Sequence, residues 1–188
     1  MILRLLPLLV VLCGCASLHE TSTQSPAPPS STSADSYAVL FDLLGDEKDV
    51  SKLLIIKRER AELRNLIREI ARRCGQGHEE LEGFGRTDSS LNLKAHGLPA
   101  IESETRAAIA KTKAKQLLTE SGKEFELRLL ITQHEALTYG AHLAASIAKT
   151  ETNPQRAQFL RQLSSDLTAL EQRVTSLLLA SYHWPERR

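Results

Sequence analysis

Apolar residues recur every three or four positions along most of the chain after residue 35, which is the spacing of amphipathic helices. No stretch of useful length alternates apolar and polar residues as a strand would. The pattern predicts an all-α fold, an antiparallel four-helix bundle whose first helix can be split by a kink at Gly45. The first two helices can also join, because residues 57–61 contain no glycine or proline. Glycine, proline and capping residues set the predicted helices at residues 35–57, 59–84, 99–120, 123–149 and 154–181.

The last helix has the clearest pattern. Asn153 is a favoured N-cap residue, and Pro154 is favoured at the first helical position. Apolar residues then follow at alternating steps of three and four: Leu160, Leu163, Leu167, Leu170, Val174 and Leu177. This regular stripe predicts a helix that packs against others in a core.

Two side chains with potential chemistry fall on predicted apolar stripes. Cys74 lies four residues after Ile70 in the second helix, and His134 lies between Leu130 and Leu137 in the fourth. Both are therefore predicted to face the core. A buried thiol and a hydrogen-bonded core histidine are the simplest interpretation, because burial raises the pKa of a thiol and makes it inert.

The N-terminus follows a different pattern. Arg4 precedes an apolar run at residues 5–12, much shorter than the roughly 20 residues that span a bilayer. The length fits the apolar region of a signal peptide. We therefore predict a signal peptide at residues 1–14.

Residues 12–15 read Leu-Cys-Gly-Cys and resemble the lipobox of bacterial lipoproteins. The resemblance implies cleavage after Gly14 and lipidation of Cys15 with acyl chains such as palmitate, which would anchor the chain in a membrane. Ala16, rather than aspartate, follows the cysteine, which resembles the outer-membrane sorting pattern with the body facing the periplasm. An ordinary secretory signal cleaved nearby is the alternative.

Residues 15–34 are predicted to be a disordered tether. From residue 16 onward this segment holds nine serines and threonines and three prolines, too little apolar surface to offset the entropy of ordering. The helical-bundle domain is predicted at residues 35–184, long enough for one domain with its own core.

The charge balance excludes some partners. Removal of Arg4 with the signal leaves 23 basic and 23 acidic side chains, which are interspersed along the chain. Nucleic-acid binding normally requires a basic face, so no nucleic-acid partner is predicted. The expected partners are the membrane, through the lipid on Cys15, and an envelope protein of unknown identity.

Several short motifs together resemble the domain of unknown function 4142 family. These bacterial exported proteins have a ferritin-like helical bundle and are often described as outer-membrane proteins. The motifs lie at residues 50–54, 66–81, 97–99, 122–125, 133–134 and 153–154. The resemblance covers most of residues 36–180 and implies a fold more firmly than a function.

The resemblance also implies a histidine pattern that this chain mostly lacks. The family typically carries an Asp-His pair in the second helix, another in the fourth and a histidine in the last. The matching positions here hold Arg73-Cys74, Gln133-His134 and Arg173, so His134 alone agrees. A di-iron site of the ferritin-like kind also needs two Glu-x-x-His motifs, and the sequence contains none.

The sequence therefore predicts a non-enzymatic, lipid-anchored binding or stress-related module with no cofactor and no catalytic residue. A metal-binding ferritin-like protein with a reduced site near His134 and Cys74 is the alternative, since thiolate and imidazole suit zinc. A Cys74–His134 nucleophile pair is less favoured, because a thiol buried among aliphatic side chains is inert. His78, Glu79 and Glu80 could chelate a metal at the surface, but Glu79 and Glu80 are more simply interpreted as solvated charges.

Overall fold

The computed structural model describes residues 32–57, 59–94 and 98–181. Within these ranges all regular structure is helical and no strand occurs. The predicted signal peptide, Cys15 and most of the predicted tether lie outside the described residues. The helices are α1 (Thr32–Lys48), a 3-10 turn (Val50–Lys52), α2 (Leu53–Ile56), α3 (Ala61–Thr87), α4 (Ala100–Thr119), α5 (Gly122–Thr150) and α6 (Pro154–Ser181).

The N-terminal part of the bundle differs from its prediction in three places. Helix α1 begins at Thr32, inside the predicted tether, and continues through Gly45. The interruption falls instead at Asp49, which leads into the 3-10 turn. A clear break also separates α2 from α3, because Lys57 adopts an extended conformation with φ −118° and ψ 134°. The split first helix is thus confirmed, whereas its position at Gly45 and the joining of the first two helices are wrong.

The start of α6 confirms the predicted cap. The Oδ1 atom of Asn153 accepts hydrogen bonds from the backbone N–H groups of Gln155 at 3.0 Å and Arg156 at 3.2 Å. These bonds satisfy two of the donors that a helix start leaves without partners, and Pro154 needs none. All six predicted apolar positions of α6 are buried.

The core forms between α1, α3, α5 and α6. Helix α5 packs along α6, α1 packs on α3 and α5, and α3 packs on α6. Gly140 allows the close approach of α5 to both α1 and α6, because a Cβ atom at this position would lie 2.8 Å from Leu43 and 3.1 Å from Leu167. The largest fully buried side chains include Tyr37, Leu40, Ile70, Phe125, Leu137 and Leu160.

Helix α4 packs differently from the other long helices. Leu117 is its one buried residue among those described, and Ile101 and Ile109 are exposed. Polar contacts hold it to α5: Lys113 forms an ion pair with Glu135. Among the described residues of α4, Leu117 alone joins the buried core, so this helix mainly covers the side of the core.

Polar contacts join the helix ends in two separate groups. In the first group, Arg156 forms ion pairs with Asp88 at 2.6 Å and Glu151 at 3.0 Å. The Tyr37 hydroxyl donates a hydrogen bond to the same Glu151 carboxylate. We call these four residues the Arg156 network. The Glu151 side chain is 5% exposed, and the network connects α1, the residue after α3, and the junction of α5 with α6.

In the second group, Arg60 and Lys57 connect the remaining helix ends. Arg60, just before α3, contacts Glu126 of α5 and Ser181 at the end of α6. Lys57 also donates to the backbone carbonyl of Leu118 at 2.9 Å, which attaches the end of α4 nearby. Every long helix thus has at least one polar tie at an end.

Candidate functional site

Cys74 lies in the interior, as predicted. It is 1% exposed on α3, and it is the one free thiol among the described residues. Burial raises the pKa of the thiol, and the nearby Glu47 carboxylate raises it further. A thiol that stays protonated is a poor nucleophile and a poor metal ligand. The predicted inert role of Cys74 agrees with this environment.

His134 does not lie in the core, and this part of the prediction is wrong. Its side chain is 43% exposed, and its Nδ1 atom lies 2.8 Å from the Glu171 carboxylate of α6. The Thr175 hydroxyl lies 3.3 Å from the same nitrogen. The preceding residue, Gln133, occupies the buried position instead, because Gln133 is four residues from both Leu129 and Leu137 on the inward face of α5.

The structure does not bring Cys74 and His134 into one site. The thiol is beside Glu47, whereas the imidazole is paired with Glu171. No group of three or more histidine, cysteine, aspartate or glutamate side chains in the described ranges could hold a metal ion. Neither the predicted reduced metal site nor the nucleophile pair therefore has a geometric basis in this part of the chain.

His78 has a structural role in addition to its surface position. Its ring stacks on Phe41 with centroids 3.9 Å apart and an interplanar angle of 24°. Partial burial lowers its pKa, and Lys48 beside it lowers the pKa further. Glu79 and Glu80 are exposed as predicted. The triplet therefore joins α3 to α1 through His78 and presents no cluster of ligands.

A cleft of about 530 Å³ lies between α1, α4 and α5. We call it the α4 groove. Its volume falls within the range of roughly 300–1,000 Å³ that is usual for small-ligand sites. Its apolar walls are formed by Val50, Leu53, Leu117 and Tyr139. Its polar groups include Glu47 and Gln133.

Glu47 and Gln133 form the polar floor of the α4 groove. The Nε2 atom of Gln133 donates a hydrogen bond to Oε2 of Glu47 at 2.8 Å. Gln133 is 3% exposed, and its Oε1 atom is buried without a hydrogen-bond partner. A buried acceptor without a donor is costly, typically by about 1–3 kcal/mol. Gln133, a residue of the groove lining, therefore carries a buried polar atom that the described protein leaves unsatisfied.

The charge of Glu47 is also poorly compensated. Glu47 as a whole is partly exposed, but its carboxyl group lies among buried neighbours. Burial raises the pKa of this carboxyl group to about 7. The hydrogen bond from Gln133 lowers the pKa, Asp46 raises it and Lys113 lowers it. No basic side chain in the described ranges forms a direct ion pair with Glu47, and Lys113 pairs with Glu135 instead. Burial therefore favours the protonated form of Glu47, and a cation beside it would stabilise the carboxylate form.

Sequence reasoning did not identify this pair. Glu47 stands in a run of charged residues at positions 46–49, and such runs are usually solvated. At this turn of α5 the predicted inward residue was His134, the neighbour of Gln133. One signal was available: a polar residue at 133 interrupts the apolar spacing from Leu129 to Leu137, and a buried polar residue needs a partner.

Comparison with known proteins identified no relative. No protein-family model, no curated protein sequence and no solved structure matches the chain. The resemblance to the domain of unknown function 4142 family therefore stays a prediction. Within the described residues, no helix combines the length and the apolar character that crossing a membrane requires.

Proposed function

We propose that the protein is a lipid-anchored envelope module that binds a ligand or partner and performs no catalysis. The α4 groove carries this proposal, because it combines apolar walls with Gln133, whose buried acceptor is unpaired, and Glu47, whose carboxylate lacks an ion pair. Such a combination is typical of a binding site. Cys74 supports the absence of thiol chemistry, since burial keeps it protonated.

We propose a ferritin-like, antiparallel four-helix bundle for the body. The polar ties support it: the Arg156 network joins the start of α1 and the start of α6 to the ends of α3 and α5. The Arg60 contacts join the opposite ends of α3, α5 and α6. These ties imply that α1 and α6 run one way and α3 and α5 the other. Helix α4 then serves as the long crossover that such a fold requires.

We further propose that the lipid on Cys15 holds this body at the outer membrane, facing the periplasm. The lipobox-like residues 12–15 and the Ser/Thr/Pro-rich segment after them support this location. Stable anchoring takes more than one acyl chain, which lipidation of this type provides.

Replacing the anchor cysteine tests the location. We expect Cys15→Ser to abolish incorporation of radiolabelled palmitate and to move the protein from the membrane fraction to the soluble fraction, because no other acyl attachment site is proposed. Cys74→Ser is the matched control, since its thiol is buried and should leave labelling unchanged. Palmitate labelling that persists in Cys15→Ser would contradict the lipoprotein assignment.

The alternative function is metal binding near His134 and Cys74. It requires one site built from both residues, or a site that uses His134 with Glu171, which lie 2.8 Å apart. Elemental analysis of the purified protein distinguishes this alternative. We expect no stoichiometric transition metal in the wild-type protein. One metal per chain that is lost in His134→Ala would replace the binding-module proposal with the metal-binding one.

A further inference from the structure

We propose that the α4 groove binds a small organic cation, namely a primary ammonium group carried on an aliphatic body. This inference rests on the proposed binding function and specifies its ligand class. The ammonium group would lie between Glu47 and Gln133, and the aliphatic body would contact the walls formed by Val50, Leu53 and Leu117.

The hydrogen-bonding pattern indicates a donor. Oε1 of Gln133 accepts no hydrogen bond, and the Glu47 carboxylate accepts one from the Gln133 amide. Both groups therefore have free acceptor capacity. An ammonium group has three N–H donors and no acceptor, so it complements a carboxylate beside an amide oxygen.

The charges around the groove indicate a cation. Asp46, Asp49 and Glu135 line it together with Glu47, while Lys113 is the basic residue of the lining. Lys113 is also paired with Glu135, which leaves the Glu47 side without a direct counterion. Several carboxylates in a cleft with apolar walls attract positively charged ligands.

An organic cation fits better than a metal ion. Calcium takes six to eight oxygen ligands, and no three carboxylate, histidine or cysteine side chains of the described residues are grouped so that they could hold a metal ion. The groove has apolar side chains along Val50, Leu117 and Tyr139, which a bare ion would not use. An alkylammonium ion uses both the acceptors and these walls.

The same geometry makes binding dependent on pH. The groups around Glu47 are Asp46 on its own helix, Gln133 of α5, Lys113 of α4 and Cys74 of α3. Burial raises the pKa of Glu47 to about 7, so the carboxylate becomes protonated below that value while an alkylamine stays charged. We expect the affinity to fall by up to about tenfold per pH unit below 7.

Calorimetric titration of the full mature protein in detergent with n-hexylamine hydrochloride at pH 8 tests the proposal. We expect saturable one-to-one binding and a dissociation constant that is at least about tenfold higher for hexan-1-ol, which lacks the charge. Glu47→Gln keeps the shape and removes the charge, and we expect it to weaken n-hexylamine binding by about tenfold or more. Glu79→Gln makes the same charge change on an exposed position of α3 and should leave binding unchanged.

A second variant covers the case in which Glu47→Gln does not fold. Ala114 is an exposed residue of α4 that lines the groove, so Ala114→Trp should fill the cleft and abolish binding while Glu47 remains. Equal binding by the wild-type protein and the two groove variants overturns the proposal. Hexan-1-ol binding as tight as that of n-hexylamine, or Glu47-dependent binding of calcium in preference to the amine, also overturns it. Absence of amine binding rejects this ligand class alone, because palmitate labelling of Cys15 tests the anchored module separately.

Discussion

Arg156→Ala is expected to destabilise the protein by about 3 kcal/mol, because it leaves the Glu151 carboxylate buried without its cation. The side chains of Arg156 and Glu151 are 14% and 5% exposed, so solvent screens this pair little. Two guanidinium nitrogens reach Glu151 at 3.0 Å, and a third contacts Asp88 at 2.6 Å. The substitution therefore breaks three charged hydrogen bonds together.

Thermal and urea denaturation would measure this effect. For a domain of this size the expected loss lowers Tm by roughly 6–12 °C. Arg161→Ala is the matched control, since Arg161 is an exposed residue of the same helix and its loss should change stability by no more than about 0.5 kcal/mol. Equal stabilities of the Arg156 and Arg161 variants would contradict the role given to the network.

The difference should shrink in acid. Burial alone would raise the pKa of Glu151, but hydrogen bonds from Arg156, Tyr37 and the backbone of Asn153 bring it below the usual range. A carboxyl group whose pKa is lowered by folding stabilises the protein above its unfolded pKa and loses this contribution as the pH falls through the folded pKa. The wild-type protein and Arg156→Ala should therefore approach each other in stability at low pH.

Glu47→Gln is expected to change stability in the opposite direction from Arg156→Ala, and to stabilise the protein at neutral and higher pH. Folding raises the pKa of Glu47 from about 4.5 to about 7. Such a group favours folding below its unfolded pKa, and this contribution is lost as the pH rises toward the folded pKa. Across the window from pH 4.5 to 7 the loss amounts to about 3 kcal/mol, at about 1.4 kcal/mol per pH unit.

Unfolding free energies at several pH values would test this prediction. We expect Glu47→Gln to match the wild-type protein near pH 4.5 and to exceed its stability progressively up to pH 7, with a constant difference above that. Glu79→Gln should follow the wild-type profile throughout, because Glu79 is exposed. A difference between Glu47→Gln and the wild-type protein that does not vary with pH would show that Glu47 is not buried as a carboxylate.

The long helices could be predicted from the sequence because local signals and burial agree there. The Asn153 cap and the six apolar positions of α6 occur as expected, and α3, α4 and α5 begin and end within three residues of their predicted limits. The α1 region was harder. Gly45 lies within a helix, where glycine costs only about 1 kcal/mol, and the break follows instead at Asp49.

The candidate groove could not be predicted, because it depends on how helices lie across one another. Periodicity permits either Gln133 or His134 to face inward, since both stand three or four residues from leucines on α5. The hydrogen bond to Glu47, 86 residues earlier in the chain, accompanies the inward position of Gln133. A pairing at that separation has no local signal in a single sequence.

The weak attachment of α4 should make this helix open locally more often than the other long helices. With Leu117 as its one buried residue among those described, and ion pairs such as Lys113–Glu135 at the surface, α4 has little to hold it once salt screens these charges. Its amide hydrogens should exchange through local opening at far lower free energy than those of α3 or α6. Helix α4, which covers the α4 groove beside Glu47, can thus open locally while the other helices stay folded.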